Sequence, residues 1–221
     1  MIISRTAPAP KFRITIDAAV LEQVEHFTYW GQIITEDGRC GKEIRRRIII
    51  ARERFSKMRS VLTNLRINLE TRKRIIKCYV WCALLCSAET WILTPRLTRQ
   101  LEALEMWTYR RMPTRIPWEG KVKNEWVLNR VNEKRQIINM VRKRKLSFFG
   151  HLVRRENIHR RLQEGYMEGR RPRGRPRISW YDNIRVWTGM SYAEAVSAAS
   201  DRRAWRAVIC ASTYPTQEGT S

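Results

Sequence analysis

GKEIRRRIIIARERFSKMRSVL, residues 41–62, decides the fold. Ile44, Ile48, Ala51, Phe55, Met58 and Leu62 follow one another at spacings of 4, 3, 4, 3 and 4. That is a single apolar stripe along an α-helix. The other faces carry Arg45, Arg46, Arg47, Arg52, Arg54, Lys57 and Arg59, and Glu53 is the only acid between 45 and 59. The stretch predicts a helix that buries one side and offers a basic surface on the rest.

Upstream the period changes. KFRITI from Lys11 and FTYWGQIIT from Phe27 are short aromatic and β-branched bursts, closed by Glu36-Asp37-Gly38. They predict two or three antiparallel strands. So few strands are not stable alone and must pack on helices or on another sheet. Downstream the helical period continues. Asn68 is a natural N-cap for a second helix carrying Ile75, Ile76, Tyr79, Val80, Ala83 and Leu84. Its second half is apolar nearly all round, so it is expected to be buried, with Cys78, Cys82 and Cys86 as core cysteines. Thr94-Pro95 opens a third helix with Leu97, Leu101 and Leu104, and Pro113 ends it. Residues 111–123, with Pro113, Pro117 and Gly120, mark a boundary. A short helix to Arg130, a restart at Asn132 and a long helix to about Arg155 follow, with Ile137, Val141, Phe148 and Leu152 on its apolar side. Gly150 weakens that helix by roughly 1 kcal/mol relative to alanine. Two tail helices are expected at 180–187 and 191–208, the second opened by a Ser191–Glu194 capping box, with loose chain after Cys210. The predicted class is mainly α: a short N-terminal antiparallel β piece, a helical bundle, a basic helix, an extended arm and a small helical tail.

Charge narrows the function. The 221 residues hold 44 Lys/Arg against 21 Asp/Glu, a net +23 with a sequence pI near 10.8, and they remain 43% hydrophobic with nine Trp. A folded, strongly basic chain calls for a polyanionic partner. Residues 142–177 alone contain thirteen Lys/Arg and three Glu, a local +10. Arg142, Lys143, Arg144, Lys145, Arg154 and Arg155 lie among Leu146, Phe148, Phe149, Leu152 and Val153, as in a basic amphipathic helix. Residues 169–177 have no apolar residue but proline and read as an extended arm. No run approaches the ~20 apolar residues of a membrane span, and the first ten residues lack the plan of a secretory signal. Five cysteines without a framework point to a reducing compartment, nuclear or cytoplasmic, with the nucleus favoured.

Catalytic signatures are missing from the sequence. Glu36-Asp37 is the only adjacent acidic pair and sits in a turn signal. Asp182, three residues after Ser179, reads as helix N-terminal stabilisation. There is no GxxxxGK[ST], and His26, His151 and His159 are isolated. Cys78, Cys82 and Cys86 on one helix lack the fourth ligand and convergence that zinc needs. No cofactor, metal or enzymatic activity is expected of this chain by itself.

FTYWGQIITEDGRCGKEIRRRIIIARERFSKMRSVLTN (27–64) resembles the segment that follows the catalytic palm in reverse transcriptases of non-LTR, LINE-type retrotransposons, especially the RTE-like endonuclease–reverse transcriptases. The resemblance continues in order through TRKRIIKCYVWCALLCSAETW, RQLEALEMWTYRRM, VNEKRQIINMVRKRKLSFFGHLVRREN, GRPRISWYDNIRVWTG and SYAEAVSAASDRRAWR, covering about residues 12–209. It implies a residual palm and primer-grip β segment at 1–38, with Tyr29-Trp30-Gly31 in the place of the family's Y-L-G element and Phe27 beside it in the primer grip. It implies a helical thumb at 39–112, a linker and basic helical region at 113–168, the arm at 169–177, C-terminal helices at 178–209 and a disordered tail at 210–221. The family's F/Y-x-D-D motif, its Mg²⁺ and its endonuclease would all lie upstream, so RNA-directed DNA synthesis at a nicked target would belong to the parent polypeptide. The chain departs from the pattern at Trp30 (usually Leu), Cys86-Ser87-Ala88 (usually Y-G-C), Met112-Pro113 and Trp126.

A thumb holds duplex by its backbone, which Arg45, Arg46, Arg52 and Arg59 would do. The partners implied are RNA–DNA or DNA duplex and template RNA. Arg171, Arg173, Gly174, Arg175 and Arg177 of the arm are candidate nucleic-acid contacts; Arg173-Gly174-Arg175-Pro176, flanked by Pro172 and Arg177, also resembles an AT-hook, whose arginines follow a narrow A·T minor groove, and reads equally as a basic linker or nuclear-import signal. That arm keeps open a host-adopted chromatin-binding protein, and an inert translated remnant is the third reading.

Overall fold

The computed structural model describes residues 1, 3, 11–17, 19–112, 122–155 and 178–213. The chain is mainly α. It divides into two compact units, Met1–Ser87 with Arg111–Arg115, and Ala88–Arg110 with Ile116–Ser221.

In the first unit the β piece is two separate hairpins. β1 (Thr15–Ile16) pairs antiparallel with β2 (Ala19–Val20), and β3 (His26–Tyr29) with β4 (Gln32–Thr35). Helix α1 (Gly41–Lys57) and the short α2 (Arg59–Leu62) follow, the helix breaking at Met58. The predicted stripe is the buried one: Ile44, Ile48, Ala51, Phe55 and Leu62 are core residues. They pack on the next helical run, which Asn68 caps by accepting from the Glu70 N–H at 3.0 Å. That run passes from α3 (Leu69–Ile75) through a π-helical segment (Ile76–Trp81) into α4 (Cys82–Leu84). Ile76, Val80, Trp81, Ala83 and Leu84 are buried. The cysteines are not: Cys78, Cys82 and Cys86 are exposed, against the core position expected of them. Their four-residue spacing sets them on the one side of the run that the apolar residues do not occupy.

The division between units falls after Ser87, inside the 39–112 segment expected to be one helical domain. Ser87 takes a positive φ of 59° and ends the helical run. Residues 91–93 are instead stitched to the C-terminal helices. Asn183 accepts from the Leu93 N–H and donates to the Leu93 carbonyl, both at 2.8 Å.

The second unit opens with a 3₁₀ turn (Ala88–Thr90) and α5 (Pro95–Arg111), which buries Leu97, Leu101, Leu104 and Tyr109. α6 (Asn124–Val131) follows. Asn132 is its left-handed C-cap rather than the start of the next helix, and α7 begins five residues later (Ile137–Val153). Buried Glu105 of α5 supplies the start of α7, accepting from the N–H groups of Gln136 at 2.6 Å and Ile137 at 3.3 Å. The tail is three helices: α8 (Trp180–Thr188), α9 (Tyr192–Ser200) and α10 (Arg202–Thr213). Ser179 with Asp182, and Ser191 with Glu194, form capping boxes. Asp201 breaks the expected 191–208 helix in two and accepts from the Arg203 N–H at 2.8 Å. Helix continues to a buried Thr213, where loose chain was expected after Cys210.

Leu146, Phe149, Val153, Ile184, Ala195, Ala199, Trp205 and Ile209 form the core of these helices. Phe149, not Phe148, is its centre, with ring contacts to Trp205 at 5.4 Å, Tyr181 at 6.0 Å and both Trp180 and Tyr192 at 6.4 Å. Gly150 has a specific reason to be glycine. A Cβ there would stand 2.5 Å from Trp205 Cδ1, and the same indole donates from Nε1 to the Leu146 carbonyl at 2.8 Å. Among the described residues no helix is long and apolar enough to cross a membrane.

Candidate nucleic-acid interface

Hairpin β3–β4 turns through two residues, Trp30 and Gly31, with Tyr29 paired to Gln32. Both turn residues have positive φ, 48° and 72°, the type I′ arrangement that suits hairpin twist. Glycine adopts it freely, whereas a tryptophan there costs roughly 1–2 kcal/mol. Trp30 nevertheless stands 88% exposed, beside exposed Tyr29 and Phe27. The tip is therefore a strained turn that presents aromatic surface to solvent.

Helix α1 holds that turn in place. Glu43 is buried and gathers Arg47 Nε at 2.6 Å, Arg46 Nε at 3.1 Å and the Ile33 N–H at 2.9 Å. Arg47 Nη2 donates to the Gly31 carbonyl at 2.7 Å, and Arg46 donates to the same oxygen. Burial alone would raise the Glu43 carboxyl, but hydrogen bonds from Arg46, Ile33 and Arg47 outweigh it and hold it below its ordinary value. Arg46, expected to contact phosphate, is thus a clamp residue, because its guanidinium is shared between Glu43 and the turn.

Arg45, Arg52 and Arg59 lie seven residues apart and remain exposed, so the first unit keeps a row of guanidinium groups. Arg111 joins it. Its pKa is lowered by burial and then by Arg52 and Arg59, so the three cations are neighbours. No spacing rule pointed to Arg111, which lies far along the chain from α1.

In the second unit the RKRK run is divided by helix geometry. Lys143 and Arg144 are exposed. Arg142 is half-buried, donating to the Ser212 carbonyl at 3.3 Å and lying over the Trp187 ring at 5.6 Å. Lys145, expected at the surface, is wholly buried. Its ammonium donates to the Trp91 carbonyl at 2.8 Å and Asn183 Oδ1 at 2.9 Å, and lies 4.8 Å from the Trp180 ring centre. It stands four residues after Val141 and four before Phe149, on the buried face, so it cannot reach phosphate. Arg154 is half-buried and Arg155 exposed. Arg171, Arg173, Gly174, Arg175 and Arg177 lie outside the described residues.

Among the described residues no group of three or more His, Cys, Asp or Glu is placed to hold a metal ion. No family model, curated protein or solved structure matches the chain.

Proposed function

We propose that this chain holds nucleic acid by its sugar–phosphate backbone, as the thumb and post-thumb part of a LINE-type reverse transcriptase. The observation that carries the reading is the exposed row Arg45, Arg52 and Arg59, on the same unit as the solvent-facing aromatic tip at Trp30. Guanidinium groups in a row neutralise successive phosphates without reading bases. An aromatic face accepts any base by stacking. Together they describe a grip that tolerates every sequence, which a strand-copying polymerase requires of its thumb. The copying chemistry belongs to catalytic carboxylates of the parent, and this chain contributes hold and alignment.

The test is duplex binding by the whole chain across a salt series. R45A/R52A/R59A should make the dependence of log affinity on log salt shallower by about 2–3, at about 0.9 per lost phosphate contact. A slope unchanged by the triple variant would remove the row from the interface.

A further inference from the structure

We propose that a second phosphate-gripping face, formed by Arg154 of α7 with Arg202 and Arg206 of α10, takes a nucleic-acid backbone. The inference rests on the nucleic-acid reading above and adds a site in the other unit.

Gly150 builds this face. A side chain there would meet Trp205 Cδ1 at 2.5 Å, Trp205 Nε1 at 2.7 Å and Arg154 Nη1 at 3.0 Å. The missing Cβ is therefore what lets the Trp205 indole and the Arg154 guanidinium share one notch on α7. Arg154 is held there by donating from Nη1 to the Ala199 carbonyl at 2.7 Å, the end of α9. Trp205 is buried, and its neighbours Arg202 and Arg206 are exposed, four apart on α10 and so on one side of it. Burial and then the charges of Arg202 and Arg206 lower the Arg154 pKa, which places all three within electrostatic reach.

Like charges so placed normally acquire a counter-ion. Among the described residues no carboxylate pairs with any of the three. Asp201, adjacent in the chain, accepts from the Arg203 N–H instead. The three cations of the face are all arginine, and the neighbouring Arg155 and Arg203 are exposed as well. Planar guanidinium donors match phosphate oxygens in pairs, which lysine cannot do. Arginines held on a packed helix pair, without a carboxylate partner among the described residues, suit a polyanion that releases its own counter-ions on binding.

The experiment measures fluorescence anisotropy of a labelled duplex with the full chain from about 50 to 200 mM salt. R202Q/R206Q is expected to make the slope shallower by about 2, and R202K/R206K to restore most of it. In the unaltered chain, phenylglyoxal should modify Arg202 and Arg206, and saturating duplex should protect both, a readout independent of any variant's folding. A chain that binds no nucleic acid overturns both readings. Binding weakened by R45A/R52A/R59A, with neither a slope change in R202Q/R206Q nor protection of these arginines, overturns this one alone. So does loss of binding to phosphatidylserine vesicles in R202Q/R206Q with the duplex slope intact, which would assign the face to membrane.

Discussion

The Arg47 guanidinium donates to the Gly31 carbonyl at 2.7 Å, joining helix α1 to the tip of a hairpin sixteen residues upstream. Both are anchored through Glu43, whose carboxylate also accepts from the Ile33 backbone. The exposed aromatic tip thus has a fixed position relative to Arg45 and Arg52 on the same helix. Glu43→Ala leaves a buried guanidinium without its carboxylate, and should destabilise the first unit by about 3–5 kcal/mol in urea denaturation. The native carboxyl is held below its ordinary value, so its contribution is present above about 4.5 and lost as pH falls through the depressed folded pKa.

Glu105 has the opposite sign. Burial raises its pKa to about 7 against an ordinary 4.5, with the Gln136 and Ile137 N–H groups and Arg135 opposing the shift and Glu102 adding to it. The folded chain keeps this proton where the unfolded chain releases it. The stabilisation is therefore complete below about 4.5 and lost as pH rises toward 7, a change of about 3 kcal/mol. Thermal melts of the second unit should show this loss between pH 5 and 8, and Glu105→Gln should flatten the profile.

Trp30→Asn should separate stability from binding. Asparagine tolerates the left-handed backbone, and Asn-Gly is the favoured two-residue turn. Melting temperature should rise, by the equivalent of about 1 kcal/mol. Affinity for a duplex end or single strand should fall about 5- to 100-fold through lost stacking. A rise in stability with unchanged affinity would take Trp30 out of the interface.

Gly150→Ala favours the helix by roughly 1 kcal/mol in propensity, yet it drives a methyl into the Trp205 indole. The clash should dominate, with a net loss of about 1–3 kcal/mol and a changed near-ultraviolet tryptophan signal.

How much could be read from the residues is clearest at charged positions. The stripe from Ile44 to Leu62 needs only helical spacing, and the structure buries its members apart from half-buried Met58. Arg47 and Lys145 break the rule that charge means surface, although spacing alone placed them inside. Arg47 stands three residues after Ile44 and Lys145 four after Val141. Their partners come from elsewhere: Glu43 and the Gly31 carbonyl for Arg47, the Trp91 carbonyl and Asn183 for Lys145. Long-range pairings of this kind leave no local pattern. The same holds for Arg111 beside Arg52, and for Arg154 beside Arg202. The three cysteines are exposed because a run that is apolar nearly all round is still covered on one side only, and their four-residue spacing keeps them on the other.

Lys145 gives a control for any claim about basic residues. Lys145→Met should cost about 1–3 kcal/mol of stability by leaving the Trp91 carbonyl without its donor, with no effect on the salt dependence of binding. Exposed Lys143→Ala should do the reverse, leaving stability nearly unchanged and making the slope shallower by up to about 1.

The most direct measurement is the slope of log affinity against log salt for the unaltered chain on a mixed-sequence duplex. A backbone grip through the arginines of both units predicts a straight line with a slope of about −5 or steeper, and similar values for A·T-rich and G·C-rich duplexes. An affinity that does not change between about 50 and 200 mM salt would contradict it.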